Sequence, residues 1–283
     1  MTIGFIGLGL MGGSFAKAIR SVHPGTVLTA CDKNPSVLED AVLDGTINTA
    51  YSSSQVKDML GLCDLVFVCL YPAAVAPFIL EHQNEFKRGA VITDIAGVKV
   101  KLMQDLQSFS RSDVDIILGH PMAGSEREGY THARADIFKG RNYIFIPLST
   151  SKPESLQMLK KLASDIGFTR SIETTAEIHD HKIAFTSQLC HVIASALVES
   201  AEDTEITAFG GGSFEDLTRI AMINAPLWTE LFIENKEDLL HHIEVFEKSL
   251  KHFKTSIENN SSGELKQSLE KVRTRRIAMA RLK

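Results

Sequence analysis

Three short stretches hold the residues best suited to chemistry. In "GHPMAGSEREG" (119–129), His120 directly follows the apolar run "VDIIL", Gly119 and Gly124 permit close approach, and Ser125 and Glu126 add polar groups to the same turn. An imidazole titrates near neutrality, so it can take a hydroxyl proton while a hydride leaves the same carbon, which is alcohol dehydrogenation. A plain turn histidine ahead of Pro121 is the other reading. In "GGGSFEDLTR" (210–219), Arg219 lies close to three glycines, where a guanidinium fork suits a carboxylate. Asp216, one helical turn away, would equally make a surface ion pair with it. The third stretch, "HDHKIAFTSQLCHVIASAL" (179–197), has an apolar stripe of Phe185, Leu189, Val192, Ile193 and Ala196. Beside it runs a more polar stripe of Ala184, Ser187, Gln188, His191 and Ser195, which reads either as facing a site or as solvated. His179 and His181 share no helical face, and neither do His241 and His242, so no metal is expected.

These side chains need a frame, and the start of the chain describes one. "GFIGLGLMGGS" (4–14) follows a short apolar run and opens a stretch with helical spacing, so it reads as strand, turn and helix. Gly7, Gly9 and Gly12 fit G-x-G-x-x-G. The first would make the turn, the second would let a pyrophosphate approach the backbone, and the third would let helix pack on strand. Leu10 and Met11 open the helix whose free N–H groups would face the phosphates. A second strand, "TVLTACD", ends at Asp32, about twenty residues beyond the last glycine, where a carboxylate meets ribose hydroxyls and repels a 2′-phosphate. NAD is the expected cofactor.

Strand and helix patterns alternate through "DLVFVCLYP", "AVITD", "VDIILG", "NYIFIP" and "TRSIETT". From about residue 175 only helical patterns remain. The expectation is an α/β Rossmann-type doubly wound sheet over 1–174, followed by an all-α dimerisation and substrate-binding domain over 175–283. Leu239, Ile243, Phe246, Leu250, Phe253 and Ile257 recur at steps of four and three, a seam that could close a bundle within the chain or a homodimer. "NAPLW" is read as the start of this long helix, with Pro226 in its first turn. A net charge of -5 gives no basic footprint for nucleic acid, and the basic end "KVRTRRIAMARLK" reads as a solvated helix face. No apolar run is long enough to span a bilayer, no basic leader opens the chain, and Cys31, Cys63, Cys69 and Cys190 lack C-x-x-C spacing. A cytoplasmic protein is expected.

Taken in order, "GLGLMGGS", "TDIAGVK", "GHPMAGSE", "HDHKIAFTSQLCH" and "GGGSFEDLTR" resemble the prephenate dehydrogenase family, which includes arogenate dehydrogenases. The resemblance covers nearly the whole chain. It implies a Rossmann domain, a helical dimerisation domain, and NAD-dependent oxidative decarboxylation of prephenate to 4-hydroxyphenylpyruvate in tyrosine biosynthesis. It also implies that His120 is the catalytic histidine on the ring hydroxyl and that Glu126 is an acidic residue near the site. His191 and Arg219 match substrate-binding positions. Asp216 matches a residue that helps close the pocket across the dimer, with Trp228 nearby. Two positions depart from the pattern: Gly97 replaces a common serine in "DIAGVK", and "SQLCH" (187–191) replaces S-H-L-P-H. Gln188 and His191 are expected to donate to the substrate's side chain. A 3-hydroxyacid dehydrogenase, which would use a lysine of the helical domain, and an inactive dinucleotide-sensing dimer are the competing readings.

Overall fold

The computed structural model describes residues 1–280, so the last three residues of the basic end lie outside the described residues. The strands and helices of the first part alternate: β1 (Thr2–Ile6), α1 (Leu10–Val22), β2 (Val27–Cys31), α2 (Pro35–Leu43), β3 (Thr49–Tyr51), α3 (Val56–Leu60), β4 (Leu65–Val68), α4 (Pro72–Glu81), β5 (Val91–Asp94), α5 (Val100–Asp105), β6 (Asp115–Pro121), β7 (Asn142–Pro147), α6 (Pro153–Asp165) and β8 (Arg170–Glu173). β1, β4 and β5 read as nearly unbroken apolar runs because helices cover both faces of the sheet. Prolines open α2, α4 and α6, where a missing N–H costs nothing, and the Asn34 side chain caps α2 through the Ser36 amide.

The sheet order is β3-β2-β1-β4-β5-β6-β7-β8. All neighbours are parallel except β6 and β7. The chain therefore winds outward from β1 in both directions, and the carboxyl ends of β1, β4, β5 and β6 point to one edge. The crevice between β1 and β4 is the reversal point at which ligands bind in such sheets. On one face, Phe15 stacks with Phe67 and meets Phe138, Tyr143 and Phe168, which fixes α1 against the strands.

Helices follow: α7 (Ala176–Ile183), a widened π turn at Ala184–Gln188, α8 (Leu189–Glu199), α9 (Gly212–Thr218) and α10 (Ala225–Glu234). α11 (Lys236–Glu258) and α12 (Ser262–Ala280) complete the chain. The expected sheet-then-helices architecture is present. Compactness divides the chain at another place than the change of secondary structure: one unit runs from Met1 to Asn235 and a second begins at Lys236. α7 and α10 belong with the sheet because α7 side chains bond to its loops and α10 packs against one of them, as described below. "NAPLW" opens α10 rather than the long α11. The helix stops at Asn235, which is buried and gives its amide to the Asp180 carbonyl (2.9 Å) and Gln188 Oε1 (2.8 Å).

Within the second unit α11 and α12 pack on each other. Of the seam residues, Leu239 is buried, Ile243, Phe246 and Phe253 are half-buried, and Leu250 and Ile257 are exposed. No helix among the described residues is long and apolar enough to cross a membrane.

Candidate active site

The glycine turn has the geometry its sequence demands. Gly7 takes φ +91°, a region that side chains avoid, and a Cβ there would lie 2.7 Å from the Cys69 carbonyl oxygen. A Cβ on Gly12 would lie 2.1 Å from the Gly7 carbonyl oxygen, so helix and strand close only around a bare backbone. Gly9 faces open space. It also precedes α1 as an N-cap without a side chain, so the first amides of α1, at Leu10 and Met11, are free to meet an anion. Asp32 lies at the end of β2, where Oδ2 accepts from the Leu8 amide (2.7 Å) and Oδ1 from the Asn34 amide (2.8 Å). Each oxygen keeps a lone pair for a ribose hydroxyl. Bare turn, uncapped helix and fixed carboxylate together fit a dinucleotide.

Three and four strands along the sheet from β2, the carboxyl ends of β5 and β6 carry a buried polar network. Lys99 is fully buried, and its Nζ donates to Asp94 Oδ2 (2.5 Å) and to the Gly119 carbonyl (2.7 Å). Asp94 also accepts from the Gly119 amide (3.0 Å) and the Ala96 amide (2.8 Å). The residue before His120 is thus held through both its N–H and its C=O. Burial pulls the Lys99 ammonium below its usual range, against the opposing pull of Asp94. His120 itself is half-buried, with Nδ1 2.8 Å from His179 Nε2. His179 Nδ1 lies 2.6 Å from Asp180 Oδ1, and Asp180 further accepts from the Lys99 amide (2.9 and 3.0 Å) and the Val100 amide (2.8 Å). Burial holds both imidazoles below the usual range, and the charges of His179 and Lys99 push His120 further down. His179, Asp180, Asp94 and Lys99 carried no site role in the sequence reading.

The other candidate residues gather around α8, α9 and α10. His191 donates through Nδ1 to the Ile220 carbonyl (2.8 Å), since a carbonyl only accepts. Its ring lies on Trp228 with centroids 3.6 Å apart, and burial lowers its pKa. Arg219 pairs with Glu126 at 3.7 Å rather than with Asp216. The pair is half-exposed and open to competition from an anionic ligand. Asp216 is exposed on α9, and Ser125 is exposed with its hydroxyl accepting from the Arg127 amide (3.2 Å). On α10, Trp228 and Leu231 share a face one turn apart. Trp228 meets His191, while Leu231 lies against Gly97, itself next to the His120 ring. One helix therefore ties the two groups together.

The stripe reading of 179–197 needs correction on both stripes. Ala184 and Gln188 are buried and Ser187, His191 and Ser195 half-buried, so the polar stripe faces inward, while Phe185 of the apolar stripe is exposed. Gln188, however, is no substrate donor. Its Nε2 goes to the Leu231 carbonyl (2.8 Å) and its Oε1 to Asn235, which places it inside the packing of α8 against α10. The π turn contributes to this arrangement. Twelve residues of regular helix would set His179 and His191 roughly 120° apart; a turn that absorbs one extra residue reduces that to roughly 20°. Among the described residues no cluster of metal-ligating side chains occurs.

Comparison with known proteins agrees in order and extent. The family model described as prephenate dehydrogenase, nucleotide-binding domain matches residues 15–171, and prephenate dehydrogenase, dimerization domain matches 175–271. A cyclohexadienyl dehydrogenase of Zymomonas mobilis is 28% identical, over 98% of this chain and 95% of that protein. The crystal structure of Aquifex aeolicus prephenate dehydrogenase with hydroxyphenyl propionate and NAD+ superposes with a TM-score of 0.88, at 30% identity, covering 99% of this chain and 98% of that one. Synechocystis arogenate dehydrogenase superposes with a TM-score of 0.81, at 25% identity, covering 98% and 99%. Two halves of one family matched in sequence along most of the chain leave one conclusion: this chain belongs to the prephenate dehydrogenase family.

Proposed function

We propose that the chain oxidatively decarboxylates prephenate to 4-hydroxyphenylpyruvate with NAD. The observation that carries this reading is His120. It lies at the carboxyl end of β6, held through the backbone of Gly119 before it and by its own Nδ1, with Nε2 bound to nothing among the described residues. Gly7, Gly9, Leu10, Met11, Gly12 and Asp32 would hold NAD, and Asp32 favours it over NADP. Bound there, NAD supplies the acceptor for the hydrogen, with its electron pair, of the ring carbinol carbon. His120 draws on the hydroxyl proton as that C–H bond breaks. The ring carboxylate leaves as carbon dioxide, its bonding pair completes the aromatic ring, and the proton returns to the phenol oxygen.

Arg219 supplies the fork for a substrate carboxylate, exchanging its contact with Glu126 for it, while Ser125, Glu126, His191 and Asp216 surround the substrate. With Gln188 withdrawn, Arg219 is the main argument for the dianion. The second reading is arogenate, and one observation favours it: His191 spends its only hydrogen on Ile220 when neutral, so its Nε2 offers an acceptor that suits an ammonium group.

The division 1–174 and 175–283 is kept as the functional one, the first part binding NAD and the second joining two copies. Exposed Phe185, Leu240, Leu250, Ile257, Leu269 and Val272 support a homodimer, and four free cysteines suit a reducing cytoplasm. Steady-state turnover of prephenate and arogenate with NAD and NADP tests the proposal. Prephenate with NAD is expected to give the highest kcat/KM. Arogenate preferred by more than about tenfold, or roughly 1.4 kcal/mol, overturns the substrate. No turnover at all would return the reading to a dinucleotide-sensing dimer.

A further inference from the structure

We infer that His179 and Asp180 are positioning residues that fix His120 as its Nδ1–H tautomer, leaving Nε2 as the atom that takes the substrate's proton. The inference rests on the dehydrogenase reading and deepens it. It follows from the direction each hydrogen bond must have. Backbone amides only donate, so both oxygens of Asp180 are acceptors toward Lys99 and Val100. The 2.6 Å contact of Asp180 Oδ1 with His179 Nδ1 then takes its hydrogen from the ring. A neutral His179 with a hydrogen on Nδ1 has a lone pair on Nε2. That nitrogen can only accept from His120 Nδ1, 2.8 Å away, and a neutral His120 that donates through Nδ1 has its own lone pair on Nε2. Two rings both protonated at this separation would face each other with two hydrogens in one gap, beside the Lys99 ammonium.

The direction is thus set by two amides at the start of α5, 81 residues away from the carboxylate they hold in the case of Lys99. When His120 takes a proton at Nε2, the hydrogen at Nδ1 already has an acceptor, and the positive charge faces an imidazole whose far side rests on a carboxylate. Lys99 and Asp94 flank the group as a closed pair, so Asp180 is the carboxylate in line with the two rings.

The test uses the full-length enzyme labelled with 15N-histidine, with the His120 signals assigned by their loss in His120→Asn. At neutral pH the expected spectrum shows His120 protonated at Nδ1 and bare at Nε2. His179→Asn keeps a donor for Asp180 but does not reach His120; His179→Gln places its carbonyl oxygen where Nε2 was and can still accept from His120. His179→Asn is expected to lose the Nδ1–H preference and to lower kcat by about 10- to 100-fold with KM changed little, since it removes part of what a positioned base contributes. His179→Gln is expected to restore both the tautomer and most of kcat. A thermal melt of both variants separates unfolding from the effect sought. A wild-type His120 bare at Nδ1, or a His179→Asn enzyme with wild-type kcat, overturns the inference. The spectrum is read without substrate, so it decides the tautomer even where turnover shows the proposed substrate to be wrong.

Discussion

Leu231 occupies the room that a side chain at Gly97 would need: a Cβ built on Gly97 falls 2.9 Å from Leu231 Cδ2 and 3.9 Å from His120 Cε1. The position where the family resemblance expects a serine is therefore filled from α10, and His120 meets His179 rather than a hydroxyl. Gly97→Ser is expected to destabilise the protein by about 1–3 kcal/mol through overpacking. Adding Leu231→Ala should return part of that loss, a non-additive pair measurable by chemical denaturation. Additive losses would mean that the two residues do not compete for the same space.

His120→Ala removes the proposed base while leaving the glycine turn and Asp32 untouched. We expect kcat to fall by roughly 10²–10⁴-fold and the NAD dissociation constant, read by fluorescence titration, to stay within about twofold. A kcat near wild type would take His120 out of the chemistry.

Acid should act on stability and on rate in the same direction. His120, His179 and His191 all titrate below the usual imidazole value of about 6.5, chiefly because burial disfavours the imidazolium. Above that value folded and unfolded chains are both neutral at these rings. Below it the unfolded chain binds protons that the folded chain does not, so stability falls as pH drops. The thermal midpoint should decline below about pH 6.5, and the acid limb of kcat/KM should lie below the same value. A limb above it would place another group in control.

Lys99→Met leaves Asp94 as a buried carboxylate without its cation. The expected loss is about 3–5 kcal/mol, of which Asp94→Asn in the same chain should recover a part. Denaturant unfolding of the two variants is the check; equal stabilities for both would assign the loss to packing rather than to charge.

How far such features could be foreseen depends on the range of the interaction that creates them. The nucleotide crevice was legible because Gly7 and Gly12 answer constraints set within a few residues, and His120 because an apolar strand announces where it ends. The His120 contact to His179 spans 59 residues and that of Lys99 to Asp180 spans 81, and no spacing rule connects such pairs. His179 and Asp180 are also adjacent on a helix, and helical periodicity assigns adjacent residues to different faces. Asn235 looked like the interior of a helix for the same reason: what ends α10 there is a pair of tertiary hydrogen bonds, invisible to local propensity. Phe185 misled in the other direction, since an apolar stripe is normally turned toward the core, whereas here it lies outward where the proposed second copy would cover it.

The widened turn at Ala184–Gln188 separates what is good for the helix from what is good for the site. Winding this segment as regular helix at its present length would give a full set of short hydrogen bonds, yet would rotate everything after it by about 100°. His191 would leave Trp228 and Ile220 while His179 stayed with His120. A regular helix of the same length could then be as stable and still be idle, so the widened winding is kept by geometry at two distant histidines rather than by folding.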